Sequence, residues 1–342
     1  MKVLLRADAG YQTGTGHVMR CLSLAEGLTA AGHSVELMTA ELEVDWLVRT
    51  VAASGIPVTS SGRDALVELE IEQHCPDWLV VDSYAIPSEQ ISRANQIVPV
   101  LAIIDGDARG IDASLFLDQN LGAKRPSNLP RPEAQTLLGA DFALIRDAIL
   151  RERREDPWQS RHEPPQVLCF LGGNDETGTG QLVAEGLMGI KDPFVLTFVA
   201  PYNQHQALSG ILAGHPEVNL LRPTPSLPTL LSATDILICA AGTSTWEACA
   251  LGIPSVVISV VGNQLFSMNH AVDEGLTLGF DANLDRGDVP RKTADAVSRL
   301  MREPQLRSHI SKAARAAFDG QGKHRVTMEL AARSSALKGM HR

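Results

Sequence analysis

An excess of basic charge is absent from this 342-residue chain, which carries a formal net charge of −10. That balance argues against nucleic acid or an anionic membrane as the main partner, although it leaves room for a local basic pocket that takes phosphate. No apolar run approaches the roughly 20 residues of a membrane-spanning helix. The chain runs into a strand pattern with no signal-peptide pattern before it, so we expect a cytoplasmic protein.

Paired cysteines are also missing. The five cysteines are odd in number and scattered, and no CxxC spacing occurs. Such a pattern supports neither a structural zinc site nor a disulfide framework. The overall composition, 44% hydrophobic and 20% charged, is that of an ordinary globular protein.

Two series of alternating strand and helix patterns make up the chain. Apolar runs such as 78–81 and 100–104 are typical of buried parallel strands, and helical patterns separate them. Short connections between such elements predict parallel sheets with helices on both faces. The stretch 151–165 is charged, contains proline and lacks a core period, so we place a linker there. We therefore expect one Rossmann-like domain over 1–150 and a second over 166–342, the latter including the terminal helices.

A glycine loop joins the first strand to the first helix. It reads Asp8-Ala-Gly-Tyr-Gln-Thr-Gly14-Thr-Gly16-His17-Val-Met-Arg20. Gly14 and Gly16 would let the backbone approach a ligand, and the helix start would point free N–H groups at that ligand. Because a helix N-terminus disfavours positive charge, we expect His17 to be neutral near pH 7 and able to accept a proton.

Three interpretations fit this loop. A dinucleotide fingerprint would need a third glycine where Met19 stands. A tight turn in which His17 only caps or packs is the plainest alternative. The third interpretation is a ligand site with His17 as a base, and the local spacing does not choose among them.

Two further glycine turns lie in the second half, Gly172-Gly173 and Gly242-Thr243-Ser244, each between a strand and a helix pattern. Both offer backbone N–H groups at the positive end of a helix, and the second adds hydroxyl donors, which together suit a diphosphate. Glu247 lies one helical turn after Thr243, where its carboxylate could accept the two hydroxyls of a ribose. Glycine turns are common in α/β proteins, however, and Glu247 could equally be an exposed helix charge.

An acidic pair, Asp105-Gly106-Asp107, follows the strand pattern 100–104. Two such carboxylates can hold Mg²⁺ on a nucleotide diphosphate. Here the pair lies in the first half, whereas the turns suited to a diphosphate lie in the second. We therefore expect no metal and no cofactor.

The second half resembles the nucleotide-sugar domain of two-domain GT-B glycosyltransferases, a type to which the peptidoglycan N-acetylglucosaminyltransferase belongs. The resemblance rests on Gly242-Thr-Ser-Thr-Trp-Glu247-Ala-Cys-Ala-Leu-Gly252-Ile-Pro254 and on Asn263-Gln264 after the next strand. It implies a GT-B-like fold of two Rossmann-like parallel-sheet domains, with the active site in the cleft between them.

The first half narrows the resemblance to the nucleotide-sugar hydrolases of pseudaminic acid biosynthesis, over about residues 1–275. The blocks that carry it, together with Gly172-Gly173, are Arg6-Ala-Asp8, Gly14-Thr-Gly16-His17-Val-Met-Arg20, Asp82-Ser-Tyr84 and Leu138-Gly-Ala-Asp-Phe-Ala-Leu-Ile-Arg146. Spore-coat polysaccharide proteins share parts of the pattern. The family removes UDP from UDP-2,4-diacetamido-2,4,6-trideoxy-β-L-altropyranose. The resemblance implies that His17 is the catalytic base for inverting attack of water at the anomeric carbon.

The other candidate residues fall into two groups. The expected substrate-binding residues are Arg6, Asp8, Gly14, Gly16, Arg20, Tyr84, Asn263 and Gln264. The expected UDP-binding residues are Gly172, Gly173, Gly242, Thr243, Ser244 and Glu247. Three of them have plainer alternatives: Arg20 in a surface ion pair, Tyr84 bonded to backbone at its strand end, and Asn263 as a helix cap.

Two rival functions stay open. A GT-B glycosyltransferase would use the same fold and donor with a hydroxyl acceptor, but the first half lacks the apolar, basic cluster that a lipid-linked acceptor would favour. A nucleotide-sugar binding protein without chemistry is the second rival, and a UDP-sugar epimerase is a weaker third. In each case we expect a UDP-sugar as the small-molecule partner, and a monomer or weak homodimer.

Overall fold

The computed structural model describes residues 1–10, 14–62, 68–154, 162–172, 177–215 and 217–340. The chain divides into two compact units, one formed by Met1–Asp147 with Gly320–Arg342 and the other by Ala148–Asp319. Each unit contains a parallel sheet with helices, which confirms the expected α/β class with two Rossmann-like domains. None of the described helices combines the length and the apolar composition needed to cross a membrane.

The first unit is built on a sheet that has seven strands within the described ranges. Its strands are β1 Lys2–Ala7, β2 Ser34–Thr39, β3 Val58–Ser60, β4 Trp78–Asp82, β5 Val100–Ile103, β6 Leu115–Asp118 and β7 Gln135–Leu138. Its helices are α1 Gly16–Ala30, α2 Asp45–Ala53, α3 Glu68–His74, α4 Ser88–Ile97 and the last helix of the chain, α13 Gly322–Met340, while the short α5 Asp147–Leu150 stands at the boundary between the units.

The strand order of this sheet reverses its direction at β1. The strand order is β3-β2-β1-β4-β5-β6-β7, so β1 pairs with β2 on one side and with β4 on the other. The register sets Ala7, the last residue of β1, opposite Asp82, the last residue of β4. In open α/β sheets such a switch point is where ligands bind, beyond the carboxyl ends of the strands.

Both faces of this sheet are covered, which is why its central strands are apolar without alternation. Val3 and Leu5 of β1 enter one core cluster, whereas Leu4 enters the cluster on the opposite face. The first cluster also contains Leu24 of α1 and Val326 of α13. The position of α1, which carries His17, is therefore fixed by packing on the strand that precedes it.

The second unit has a six-stranded sheet within the part of the chain that the structure describes, in the order β10-β9-β8-β11-β12-β13. The strands are β8 Gln166–Phe170, β9 Val195–Val199, β10 Val218–Leu221, β11 Ile236–Ala240, β12 Ser255–Ser259 and β13 Leu278–Asp281. The helices are α6 Thr179–Met188, α7 His205–Leu212, α8 Leu227–Ser232, α9 Thr243–Leu251, α10 Leu265–Asp273, α11 Val289–Arg302 and α12 Pro304–Ala317. The switch point of this sheet lies between β8 and β11, which pair with each other.

The last helix differs from the expected domain boundary. We expected all of 166–342 in the second domain, but α13 belongs to the first unit. Its Lys323 is buried and forms ion pairs with Glu26 of α1 (2.8 Å) and with Asp147 (2.5 Å). Gly27 lets the helices approach, since a Cβ there would lie 3.2 Å from the carbonyl oxygen of Lys323. Of the expected linker 151–165, residues 155–161 lie outside the described ranges.

Candidate functional site

His17 stands at the switch point of the first sheet, as the second residue of α1. Gly14 in the preceding loop has φ +74°, a left-handed conformation that favours glycine. The Nδ1 atom of His17 lies 2.7 Å from Oδ1 of Asp82 at the end of β4. A histidine whose Nδ1–H meets a carboxylate presents its other ring nitrogen, Nε2, as a proton acceptor. The sheet topology therefore assembles a histidine–carboxylate pair from residues that are far apart in the sequence.

Arg20 lies one helical turn after His17 and shares its face of α1. Its guanidinium donates to Asp82 through Nε and, at 2.6 Å, through Nη2. It also donates from Nη1 to Oδ1 of Asp105 at 3.0 Å and from Nη2 to Oδ2 of Asp105 at 3.3 Å. Only 6% of the Arg20 side chain is exposed, so the alternative of a surface ion pair is replaced by a buried ion pair with two carboxylates.

Asp105, just beyond β5, extends this network toward two further side chains. The Tyr84 hydroxyl donates to its Oδ2 at 2.5 Å, and the amide of Asn120 donates to its Oδ1 at 2.9 Å. The same amide also lies 2.9 Å from Oδ1 of Asp118 at the end of β6. Polar side chains at the ends of three adjacent strands thus meet at one edge of the sheet.

The charges in this cluster keep both central carboxylates ionised. Burial by itself would raise the pKa of Asp82, but Arg20 and then His17 outweigh it and lower that pKa. The same balance, with Arg20 as the main partner, holds the pKa of Asp105 well below its usual range. Burial and the nearby Asp105 carboxylate raise the pKa of Tyr84 well above its usual value, so its hydroxyl stays a neutral donor.

A cavity of about 250 Å³ opens beside this cluster. Its lining residues are Asp8, His17, Glu41, Asp82, Ser83, Tyr84 and Ala85. Tyr84 is half-exposed and meets the His17 ring edge-on, with 5.4 Å between ring centroids. On the Tyr84 ring lies the guanidinium of Arg109, 4.8 Å from the centroid. The cavity therefore has an acidic, hydrogen-bonding side and one aromatic wall.

Arg6 and Asp8 are both expected to bind substrate, but only Asp8 lies in the cavity lining. Arg6 is fully buried, and its guanidinium donates to Oδ1 of Asp8 at 2.5 Å and to the carbonyl of Gly62 at 2.8 Å. Oδ1 of Asp8 also accepts the backbone N–H of Ala40 at 2.8 Å. Arg6 is thus buried and supports the carboxylate of Asp8, whereas Asp8 belongs to the cavity lining.

The expected UDP-binding residues of the second unit flank its switch point. Gly172 follows β8 with φ +94°, and Gly242 follows β11 and precedes α9. A Cβ added to either glycine would meet no atom of the described residues within 4 Å, so this part of the chain leaves the space above both turns open. Glu247 is only 4% exposed, which contradicts its alternative interpretation as an exposed helix charge. Gly173 lies outside the described residues.

Thr243 and Ser244 are partly buried in the first turn of α9. Asn263 and Gln264 lie in a short 3₁₀ turn, Gly262–Gln264, that leads into α10. The side-chain oxygen of Gln264 accepts the backbone N–H of Val260 at 2.9 Å, so this amide already supports its own loop. Gln264 rather than Asn263 is the N-cap residue of α10. Asn263 is exposed.

The acidic pair after β5 is divided between different partners. Asp105 faces Arg20, whereas Asp107 accepts from the Asn128 amide and from the backbone N–H of Arg109. Within the residues that the structure describes, no group of three or more histidine, cysteine or acidic side chains is arranged to hold a metal ion. Asp105 and Asp107 thus serve the protein's own donors.

Sequence reasoning missed three members of the cluster. Asp82 belongs to a block that carries the family resemblance, but the sequence assigns it no role. Asp105 is predicted only as a possible metal ligand, and no sequence motif includes Asn120. The available signal was their position, because each lies at or just beyond the carboxyl end of a strand in the same sheet. Adjacent strands bring such residues together.

Known proteins resemble the chain at low identity, and no protein-family model matches it. It is 25% identical over 344 residues to the spore coat polysaccharide biosynthesis protein SpsG of Bacillus subtilis, covering 96% of this chain and 97% of that protein. It is 24% identical over 268 residues to the UDP-2,4-diacetamido-2,4,6-trideoxy-beta-L-altropyranose hydrolase of Campylobacter jejuni, covering 77% and 93% of the two chains.

Solved structures resemble the whole fold. S. aureus MnaA in complex with UDP has a TM-score of 0.68 at 14% identity and covers 95% of this chain and 94% of its own. MurG from Acinetobacter baumannii has a TM-score of 0.65 at 15% identity, with coverage of 97% and 99%. At such identities the likeness shows the fold alone, and it confirms the expected GT-B-like architecture.

Asp105 should stabilise the folded protein in a pH-dependent way. Its pKa is lowered on folding, so its ionised form contributes stability above the ordinary carboxyl value of about 3.9, and that contribution is lost as the pH falls toward the folded value. Asp105→Asn should therefore lower the free energy of unfolding by about 1–3 kcal/mol at pH 7 and by clearly less at pH 3. Urea unfolding at both pH values measures this.

Asp295→Asn is the matched control, because Asp295 forms an exposed ion pair with Arg291. It should leave the unfolding curves nearly unchanged at either pH. A loss of stability on Asp105→Asn that is equal at pH 7 and pH 3 would contradict the electrostatic role.

Proposed function

We propose that the protein hydrolyses a UDP-linked sugar to UDP and free sugar, with inversion at the anomeric carbon. The proposed substrate is UDP-2,4-diacetamido-2,4,6-trideoxy-β-L-altropyranose, the compound in the name of the Campylobacter jejuni relative, and the proposed pathway is pseudaminic acid biosynthesis. The observation that carries the proposal is the His17–Asp82 pair beside a cavity at the switch point of the first sheet. The fold by itself would not support a reaction, because one fold hosts many functions.

The proposed reaction needs one base. His17 donates its Nδ1–H to Asp82 and accepts at Nε2 a proton from a water molecule. The oxygen of that water forms a bond to the anomeric carbon on the face opposite UDP. The bond from that carbon to the diphosphate oxygen breaks, and its electron pair leaves with UDP. No separate acid is required, because UDP is already a good leaving group.

The nucleotide part of the substrate is assigned to the second unit. Backbone N–H groups at the start of α9 and the hydroxyls of Thr243 and Ser244 suit the diphosphate, whose negative charge grows as the bond breaks. The open space above Gly172 and Gly242 supports this assignment, since a phosphate could approach the backbone there. Glu247, in the same helix, suits the ribose hydroxyls.

We assign the sugar to hydrogen-bonding groups around the cavity of the first unit and to the side-chain amide of Asn263. Asp8 and the half-exposed Tyr84 line the cavity with His17. Gly14 and Gly16, which precede His17 in the sequence, are assigned to the sugar through their backbone. Asn263, which is exposed, can offer a donor and an acceptor to an acetamido group. Gln264 is assigned a supporting role beside it, because its side-chain oxygen is bonded to its own loop.

His17→Ala should lower the rate of UDP release about 10²- to 10⁴-fold, the usual contribution of general-base assistance. The measurement is ³¹P and ¹H NMR of the protein with the proposed substrate, with EDTA present and no sugar acceptor. His33→Ala is the control, because His33 precedes β2 at the opposite end of the sheet. It should retain the wild-type rate.

Other outcomes of that experiment separate the alternatives. Equal rates for wild type and His17→Ala would remove the base assignment. Binding of the substrate without turnover by the wild type would favour a glycosyltransferase that needs an acceptor, or a binding protein. Conversion into a second UDP-sugar would indicate an epimerase. An untouched and unbound substrate would mean that the specific sugar is wrong.

Gly242→Ala should weaken UDP binding about tenfold, or about 1.4 kcal/mol, without affecting folding. The backbone at Gly242 has φ −123°, which alanine adopts freely, and a Cβ there meets no atom of the part of the chain that the structure describes. A ligand lying against the backbone would clash with it. Isothermal titration calorimetry with UDP measures the change. Gly210→Ala in α7 is the control, because a Cβ there also meets none of the described residues, and it should bind UDP normally. Equal affinity of Gly242→Ala would contradict the placement of UDP.

A further inference from the structure

We infer that Arg20 and Asp82 are positioning residues that hold His17 in the tautomer with a proton on Nδ1, and that Arg20 binds these carboxylates rather than a phosphate. The inference rests on the proposed function, since it concerns how His17 is prepared to act as a base. It changes the role expected for Arg20 from a substrate ligand to a support for the catalytic group.

The first step concerns the hydrogen atoms of Arg20. The Nη2 atom carries two, and it lies 2.6 Å from Oδ1 of Asp82 and 3.3 Å from Oδ2 of Asp105. It is also 3.3 Å from Nδ1 of His17. One hydrogen of Nη2 is directed to Asp82, and the second is shared between Asp105 and Nδ1, which lie at the same distance. The much shorter contact of Nδ1 is the one with Asp82, at 2.7 Å, so that contact decides which nitrogen of His17 carries the hydrogen.

The second step concerns the proton between His17 and Asp82. The carboxylate of Asp82 accepts at both oxygens from Arg20, and burial beside that cation keeps it ionised. An ionised carboxylate can only accept, so the hydrogen of the 2.7 Å contact must lie on Nδ1 of His17. In the neutral form of this ring, which lines the cavity, Nε2 is then the unprotonated nitrogen.

The third step concerns the charge of Arg20 itself. Its side chain is 6% exposed and lies between two carboxylates that are 1% and 18% exposed. A phosphate group that took the place of either carboxylate would leave a buried carboxylate without its cation. Such uncompensated burial is strongly unfavourable. The geometry thus favours a closed internal network over a phosphate site.

The network also reaches the aromatic wall of the cavity. Asp105, the second partner of Arg20, accepts the hydroxyl of Tyr84, whose ring stands edge-on to His17. The buried guanidinium of Arg20 therefore holds His17 through Asp82 and Tyr84 through Asp105. A change at Arg20 should disturb catalysis even though this residue touches no reacting atom.

The test reads the tautomer directly, by long-range ¹H–¹⁵N NMR of protein labelled at its histidines, without substrate. The His17 signals are assigned by their loss in His17→Gln. Wild type should show the pattern of a neutral ring with hydrogen on Nδ1. In Asp82→Ala, Nδ1 of His17 loses its carboxylate acceptor and is left facing the Nη2 donor of Arg20, 3.3 Å away. The His17 ring should switch to hydrogen on Nε2, and kcat should fall about 10⁴-fold, the size of effect known for a wrong tautomer in a histidine–aspartate pair.

Glu36→Gln is the matched control, because Glu36 is a carboxylate that faces a different histidine, His74, in the same unit. It should leave the His17 signals and the activity unchanged. A wild-type spectrum with hydrogen on Nε2 would overturn the inference, and so would Asp82→Ala that folds and keeps hydrogen on Nδ1. Because the spectra need no substrate, a tautomer switch in a protein that proves inactive would retain the positioning role and reject the proposed reaction.

A second variant, Arg20→Lys, separates positioning from phosphate binding. Lysine keeps the charge but cannot form the planar, two-sided contacts of a guanidinium. It should lower kcat more than tenfold and leave the affinity for UDP, measured by calorimetry, within twofold of wild type. A parallel loss of UDP affinity would show that Arg20 touches phosphate and would overturn the inference.

Discussion

The burial of one guanidinium between two carboxylates is the constraint on which the first unit's site depends. A charge of this kind stays inside a protein only when it is paired and hydrogen-bonded. Arg20 meets that condition through Asp82 and Asp105, which stand at the ends of neighbouring strands. The pairing ties α1 to the edge of the sheet, and His17 on the same helix face is thereby held against Asp82. The position of His17 therefore follows from the pairing that the buried Arg20 requires.

The two units use the same geometric principle for different chemistry. In each unit, the candidate site residues follow the strands at the switch point. The chain connections from the two strands there run to opposite sides, which leaves a crevice beyond their carboxyl ends. In the first unit those ends carry charged and aromatic side chains around a cavity. In the second they carry glycine turns and a helix start, which offer backbone donors to an anion. This contrast underlies the division of the proposed substrate into a sugar end and a nucleotide end.

Local sequence patterns predicted most of the fold and only part of the site. The apolar run 78–81 became the strand Trp78–Asp82, and the glycine loop opens the helix that begins at Gly16, because periodicity and turn chemistry act between near neighbours. The pairing of His17 with Asp82 spans 65 residues, and spacing says nothing about such contacts. For the same reason the burial of Arg6 and the return of α13 to the first unit were not foreseen. Charged residues in a pattern do not reveal whether their partner is a ligand or another part of the chain.

The central claim, that His17 directs a water molecule to the anomeric carbon, is tested most directly by turnover in water enriched in ¹⁸O. The account predicts that the label enters the oxygen on the anomeric carbon of the free sugar, read by mass spectrometry before that oxygen exchanges with solvent. It also predicts that UDP carries no label and that the first-formed anomer is inverted. Label in the terminal phosphate of UDP would show cleavage of the phosphorus–oxygen bond and would contradict the account, and so would a first-formed anomer that retains the configuration of the substrate.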